Sequence, residues 1–282
     1  MQVEDGSALA HEDLIGRWLK KAGTGVEIGA FDTPIPGIQP FYVDCFEEYS
    51  GKRCLADYWG DACHLPFRKH SLDYVATSHV FEHVANPVAA LLEWDRVLLD
   101  GGYMYMVVPD RRYTFDYARD LTTPEHMWED FEDKVSQADG THAFEFVDGV
   151  DWAMYRPEVA PEDLDADRET MRNQYVFDIE HKKEFNIHFH VFEPDNLQRL
   201  VELVAQKRKL RWKIVKCIES FPRDNPNGIL LVVRVRKPFL GKFHSLFRRM
   251  IRMVSRNWVL EPDARPISES DQLRKKYLTS CS

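Results

Sequence analysis

His79 stands in ATSHVFEHV, and His188 and His190 lie two apart in NIHFHVF. An imidazole or carboxylate held at a strand end is the ordinary means of taking a proton from a hydroxyl. In an extended segment, residues two apart point to the same face, so His188 and His190 would share one. Asp110 adds a carboxylate directly after the apolar run YMYMVVP, with Arg111, Arg112 and Tyr113 behind it. His79, Asp110, His188 and His190 are therefore the candidates for proton transfer. Arg112, Tyr113 and His126 are the candidates for holding an acceptor; for Arg112 the alternative is a salt bridge to a nearby carboxylate, and for Tyr113 simple packing. His83, in FEHVANP, is expected to organise the start of a helix. His188 and His190, with His126 or His142 and Asp110, also have the atom types of a divalent-metal site. They are widely separated in sequence, and the expectation is that no metal is bound.

A second set of residues has the spacing of a ligand pocket. Gly29 in VEIGAFDTPIPG sits where phosphate-binding loops place several glycines, and Phe31, Asp32, Pro34 and Pro36 fill the turn instead. A pyrophosphate needs more room and a helix N-terminus aimed at it, so this turn suits a ligand without phosphates. Asp44 in FYVDCF and Asp61 in WGDACHLPF follow the next two apolar runs. The first can accept both hydroxyls of a ribose and the second the amino group of an adenine. Asp is also a common turn or cap residue. With the glycine turn, the two acids point to an adenosine pocket.

The elements that must position these residues follow the rhythm of an α/β sheet. Apolar runs recur at Val26 to Ala30, Phe41 to Val43, Tyr58 to Ala62, Leu72 to Thr77 and Tyr103 to Val108. Leu14, Ile15, Trp18 and Leu19 mark a helix before them, stopped at Gly23. A second helix is expected between Asn86 as N-cap, with Pro87 at its first position, and a stop at Gly101 and Gly102. Leu197, Leu200, Val201 and Val204 mark a third after Pro194. Trp212 to Ile218 and Ile229 to Val235, joined by PRDNPNG, read as an antiparallel hairpin at the sheet edge. Alternating strands and helices make a parallel sheet covered by helices, with ligands bound outside the carboxyl ends of the strands.

Between Arg111 and Phe189, twenty acidic residues stand against nine basic ones, so this segment accounts for the net charge of −9 of the whole chain. It is also rich in Tyr, Phe and Trp, and is expected to fold against the core as a lid. Nucleic acid is an unsuitable partner beneath such a cover. Cys45, Cys54 and Cys63 match no zinc spacing and are expected to be core thiols. An acidic start without an apolar leader, and the lack of a long apolar run, lead to an expected cytoplasmic location.

The segments VEIGAF, YVDCF, GDACHLPF, SLDYVATSHVFEHVANP and WDRVLLDGGYMYMVVPD resemble the successive motifs of class I S-adenosylmethionine-dependent methyltransferases. PDRRYTFDYARDLTTPEHMWEDFE and HFHVFEPDNLQRLVE are similar to segments of a bacterial branch of that family, often met beside glycosyltransferases in surface-polysaccharide gene sets. The resemblance spans Val26 to Lys237. It implies a Rossmann-like fold: a mostly parallel seven-stranded sheet with an antiparallel C-terminal hairpin and an α-rich lid inserted after strand five. Residues 1–110 and 190–237 would form the core and 111–189 the lid. It implies S-adenosylmethionine as cofactor and S-adenosylhomocysteine as product. By motif position, Glu27, Ile28, Gly29 and Ala30 would face the methionine part, Asp44 and the adjoining Cys45 the ribose, Asp61 and Ala62 the adenine, and Ser78 with His79 the methyl. The activity implied is O-methylation of a sugar hydroxyl in a surface or lipid-linked glycan. Methylation of a small metabolite, and a non-catalytic binding module that keeps the fold, are the alternatives.

Residues 238–282 lie outside that pattern. Phe243, Leu246, Phe247, Met250, Ile251, Val254 and Trp258 recur at helical spacing, with Lys242, Arg248, Arg249, Arg252 and Arg256 on the other side. A basic amphipathic helix over residues 239–258 suits an anionic membrane surface, which would make the protein peripheral at the inner membrane face. The same face also suits packing on the chain's own sheet edge or on a second copy in a homodimer.

Overall fold

The computed structural model describes residues 1–19, 23–49, 51–238 and 256–267. Its strands are β1 (Glu4–Asp5), β2 (Gly25–Ile28), β3 (Phe41–Asp44), β4 (Glu48–Tyr49), β5 (Lys52–Arg53), β6 (Tyr58–Trp59), β7 (Leu72–Ser78), β8 (Leu98–Pro109), β9 (Arg211–Phe221) and β10 (Gly228–Arg236). Its α-helices are α1 (His11–Trp18), α2 (Pro87–Val97), α3 (Pro124–Asp133), α4 (Ala143–Gly149), α5 (Trp152–Tyr155), α6 (Leu164–Glu180) and α7 (Pro194–Lys207). The main sheet runs β1-β9-β10-β8-β7-β2-β3-β6, with β4 and β5 forming a separate two-stranded ladder. From β6 to β8 all neighbours are parallel, while β10 is antiparallel to both β8 and β9. This is a Rossmann-like, mostly parallel sheet.

The sheet has eight strands where seven are expected, because Glu4 and Asp5 pair in parallel with Ile218 and Glu219. Two exposed acidic residues carry no alternation that would mark a strand. The hairpin also lies one place further in: β10 sits between β8 and β9, and β1 is the outermost strand.

Burial on both faces explains the near-continuous apolar runs of β7 and β8. On one face Val75, Met104 and Met106 pack with Leu91 and Trp94 of α2 and with Leu197, Leu200 and Val204 of α7. On the other, Tyr74, Ala76, Tyr105 and Val107 pack with Leu14, Ile15 and Trp18 of α1. The side-chain period of two divides the two sets. Asn86 caps α2 as expected, accepting the Ala89 N–H at 3.0 Å. Gly101 and Gly102 do not stop that helix, which ends at Val97; they bend β8. Gly101 has φ +82°, and a Cβ on Gly102 would lie 2.9 Å from the Asp73 carbonyl, so the bend brings β8 close to β7.

Between β8 and α7, helices α3 to α6 are accompanied by a second apolar cluster, including Phe146, Val147, Trp152, Tyr175, Phe185 and Phe189. Most of the amphipathic helix expected over 239–258 lies outside the described residues. Its last part is described, and there Trp258 is partly buried, with the Arg68 guanidinium 5.1 Å from its ring. Residues 256–267 run along the β6 edge: Trp59 N–H donates to Arg265 O at 3.0 Å, Ile267 N–H to Asp57 O at 2.8 Å and Arg68 N–H to Val259 O at 2.8 Å. Among the described residues, no helix is long and apolar enough to cross a membrane.

Candidate functional site

A cavity of about 410 Å³ opens at the carboxyl ends of β2, β3, β6 and β7. Its walls bring together Ile28, Gly29, Asp44, Cys45, Asp61, Ala62, Ser78 and His79, residues spread over fifty positions of sequence. Gly29 has φ +65°, and a Cβ there would come within 2.5 Å of Val80 Cγ2, so only glycine fits. Asp44 Oδ1 accepts the Phe46 N–H at 2.9 Å, and Asp61 Oδ1 accepts the Cys63 N–H at 2.6 Å. Each acid thus caps its own turn while also facing the cavity. Burial pushes the Asp44 carboxyl upward. Ser78 ends β7 opposite Val107, and His79 follows in the left-handed region at φ 53°, its N–H held by Val107 O at 2.9 Å. A non-glycine residue held there is strained, which fits a side chain aimed into a site.

Glu27 and Ala30 stand behind this wall. Glu27 is 1% exposed. Its Oε1 accepts the Ile35 N–H at 2.9 Å, and Oε2 has no hydrogen-bond partner. Burial lifts its carboxyl to about 8, against the lowering effect of the Ile35 bond. It is therefore protonated at neutral pH and fastens the turn beyond Gly29. Ala30 is buried against Tyr42 and Leu55.

The expectation of core thiols holds for Cys54, which is buried, and in part for Cys63, which packs against the main apolar cluster, but not for Cys45, which is exposed; all three also line the cavity. Each follows a different strand-end turn, which is why their even spacing brings them to one place. Burial pushes all three thiols up to about 12, and neighbouring carboxylates add to this.

At one end of the cavity lies a group built around Glu82, which is 1% exposed and has no hydrogen-bond partner at either oxygen. Glu82 Oε1 is 3.8 Å from His79 Nδ1, 3.8 Å from His83 Nε2 and 4.0 Å from His188 Nε2. Burial raises Glu82 to about 7 and lowers His79 to about 4 and His83 to about 3. Those two rings are therefore neutral near pH 7 and both line the cavity. His188 is turned by Asp116, whose Oδ2 lies 2.6 Å from Nδ1. Asp116 Oδ1 accepts from Arg119 at 2.8 Å, and Arg119 also donates to His188 O at 2.8 Å. Burial alone would raise the Asp116 carboxyl, but the His188 and Arg119 contacts hold it below the usual carboxylate range.

The other expected site residues are placed elsewhere. Asp110 is fully buried and accepts Arg112 N–H at 3.1 Å and Arg112 Nε at 2.9 Å. Arg112 also donates to Glu219 at 2.6 Å, so its guanidinium is spent on two carboxylates. Tyr113 is 49% exposed beside Arg112. None of these three lines the cavity. His190 is 1% exposed and faces away from His188, in a second group with His126 and His142 around Asp130. The segment IHFHVF is not a regular strand, so the two-apart rule did not hold there. Among the described residues, two groups hold ligand-type atoms within 4.8 Å of one another: Glu82, His83 and His188, and His126, Asp130 and His142. Sequence reasoning missed Glu82, Asp116, Arg119 and Asp130. Only Glu82 had a visible signal, its place between His79 and His83.

Residues 45–106 match a family model described as a methyltransferase domain. These residues lie within the Rossmann-like sheet described above. None of the curated proteins matches the chain. Solved structures similar to it include S-adenosylmethionine-dependent methyltransferases from three organisms. The Thermotoga maritima protein is 16% identical, with 82% of this chain and 91% of that one covered at a TM-score of 0.41. The Mesorhizobium loti protein is 12% identical, with 81% and 100% covered at 0.43. The Methanosarcina mazei protein is 13% identical, with 80% and 98% covered at 0.41.

Proposed function

We propose that the chain transfers a methyl group from S-adenosylmethionine to a hydroxyl, and that the hydroxyl belongs to a sugar of a surface or lipid-linked glycan. The observation that carries the first part is the convergence of Gly29, Asp44, Asp61, Ser78 and His79 on one cavity. Within the donor's adenosine, Asp44 takes the ribose hydroxyls and the Asp61–Ala62 turn the adenine edge. Ile28 and Gly29 lie along the methionine part. The turn after Gly29 bears Phe31 and Thr33 on the cavity wall, which suits a cofactor without phosphates.

Methyl transfer is a displacement at carbon: the acceptor oxygen forms a bond to the methyl as the carbon–sulfur bond breaks, and the hydroxyl proton must leave. His79 is neutral, strained toward the cavity and unpartnered at its buried Nε2, which makes it the proton acceptor in this reading. Glu82, 3.8 Å from Nδ1, steadies the imidazolium that forms. The insertion of α3 to α6 supplies Gln137 and Phe185 to the same wall and acts as a lid that keeps water from the reacting atoms. The sugar acceptor rests on the resemblance of the lid segments to the glycan-associated branch.

Isothermal titration with S-adenosylhomocysteine tests the cofactor. The wild type should bind, and Asp44→Ala should lose about 1.5 to 3 kcal/mol of affinity while keeping its circular dichroism. A wild type without binding, or a variant with undiminished affinity, overturns the assignment. Transfer of labelled methyl to lipid-linked or free oligosaccharides, compared with small alcohols and amines, tests the acceptor.

A further inference from the structure

A group of side chains outside the cavity has the make-up of a metal site. Asp130 Oδ2 lies 3.4 Å from His142 Nε2, 3.7 Å from His126 Nε2 and 3.7 Å from His190 Nε2. Asp130 is 4% exposed, and His142 and His190 are each 1% exposed. Asp130 Oδ2 and His142 Nε2 have no hydrogen-bond partner. The separations decide what joins these atoms. A hydrogen bond between nitrogen and oxygen spans about 2.7 to 3.2 Å, shorter than any of the three. Two ligands of a tetrahedral zinc ion, each about 2.0 to 2.2 Å from the metal, stand about 3.3 to 3.6 Å apart. The 3.4 Å contact matches that edge, and the 3.7 Å contacts exceed it slightly.

The surroundings fit as well. His126 and Asp130 are one helical turn apart on α3, so both point to one side. His142 Nδ1, the nitrogen turned away from Asp130, lies 3.5 Å from Glu145 Oε2, and His126 Nδ1 lies 3.9 Å from Glu129 Oε2. A carboxylate behind a metal-binding imidazole fixes its tautomer and raises its basicity. His190 Nε2 lies 3.3 Å from Ala85 O, to which it donates, so this ring borders the group without supplying a ligand atom. The half-exposed side chain of His126 gives an ion its way in. Around Glu82 none of the contacts, at 3.8, 3.8 and 4.0 Å, falls within that edge, and two of its rings open onto the cavity.

We propose that His126, Asp130 and His142 bind a divalent transition-metal ion, zinc by ligand type. The ion would tie α3 to the turn at His142 within the insertion.

Full-length protein stripped with a chelator and dialysed would be titrated with zinc chloride. Bound metal would be counted by mass spectrometry, affinity read against a chromophoric chelator, and melting followed in parallel. The wild type should take up about one ion per chain and melt at a higher temperature with zinc than without. Asp130→Asn and His142→Ala should weaken binding at least about a hundredfold, since losing even an outer partner costs 10- to 100-fold. If these buried variants fail to fold, His126→Ala, altered at the exposed side, should still fold and show the same loss. Glu82→Gln should keep its zinc. A wild type without stoichiometric zinc, or variants at 126, 130 and 142 that bind like the wild type, would overturn the site, as would zinc lost only from Glu82→Gln.

Discussion

Glu82 and Asp130 are each a buried carboxylate within 4.0 Å of three imidazoles, yet His142 beside Asp130 ends in the opposite electrostatic state to His79 and His83 beside Glu82 and to its own neighbour His190. Around Glu82, burial lowers His79 to about 4 and His83 to about 3, so both rings are neutral. Around Asp130, burial would likewise lower His142, but Asp130 and Glu145 together lift it to about 9. The far nitrogen of each ring makes the difference. His79 Nε2 and His83 Nδ1 find no partner, whereas His142 Nδ1 faces Glu145. A count of ligand-type residues therefore does not fix their chemistry; a second carboxylate behind a ring, Glu145 for His142 and Asp116 for His188, sets those rings apart from His79 and His83. The two rings without one are left neutral on the cavity wall.

The largest effect is expected at the cavity. His79→Ala should lower methyl transfer by about 10² to 10⁴, the usual cost of losing a positioned base, with little change in S-adenosylhomocysteine affinity. Single-turnover rates beside titration calorimetry measure both. An undiminished rate would leave the Glu82 group without the role that sets it apart from the Asp130 group.

Arg119 touches both groups, through Asp116 behind His188 and through Glu145 behind His142. Its side chain is 1% exposed, so Arg119→Met strands buried charge and should destabilise the fold by about 3 to 5 kcal/mol in urea unfolding. A loss under about 1 kcal/mol would show that the two groups are held independently.

Glu27 is a buried carboxyl with no imidazole around it and so isolates the effect of burial. Its folded form keeps a proton up to about pH 8, while the unfolded chain releases it near 4.5. The stability of wild type relative to Glu27→Gln should be greatest below pH 4.5 and decline as pH rises through 8, by about 1.4 kcal/mol per unit between them. Urea unfolding of both proteins across that range gives the slope, and parallel curves would mean that Glu27 is not lifted by burial.

The smallest effect concerns the thiols. Cys45 is exposed on the cavity but pushed up to about 12, so iodoacetamide should modify it slowly. Saturating S-adenosylhomocysteine should slow it severalfold further, as peptide mapping would show. Equal labelling with and without the compound would place the bound ligand away from that wall.

How much of this was legible in the sequence follows from what kind of contact each residue makes. Gly29, Asp44, Asp61, Ser78 and His79 sit at strand ends, and the αβ rhythm fixes which end of a parallel sheet they share. Asp116, Arg119 and Asp130 act through partners as far away as His188 and His190, across an insertion whose own packing decides who meets whom. No local spacing carries that information. Asp110 and Arg112 were visible as titratable residues, but they pair with each other, and Arg112 takes its second partner, Glu219, from β9, away from the cavity. The cysteines were weighed against zinc spacings, while three separate turns, each set by its own strand, bring them together.

One rim of the main sheet is lined by residues 256–267 along β6, and at the other Glu4 and Asp5 pair with Ile218 and Glu219 of β9. An uncovered rim offers a row of unpaired amides to any extended peptide, including another copy, and so seeds aggregation. Beyond that short pairing β9 carries Arg211, Lys213 and Lys216, charges that make it a poor template for growth. At the other rim, the amides of Trp59 and Arg68 are already taken by Arg265 and Val259. Peeling that segment away would give a protein whose shelf life depends on its concentration, even where its pocket is unharmed.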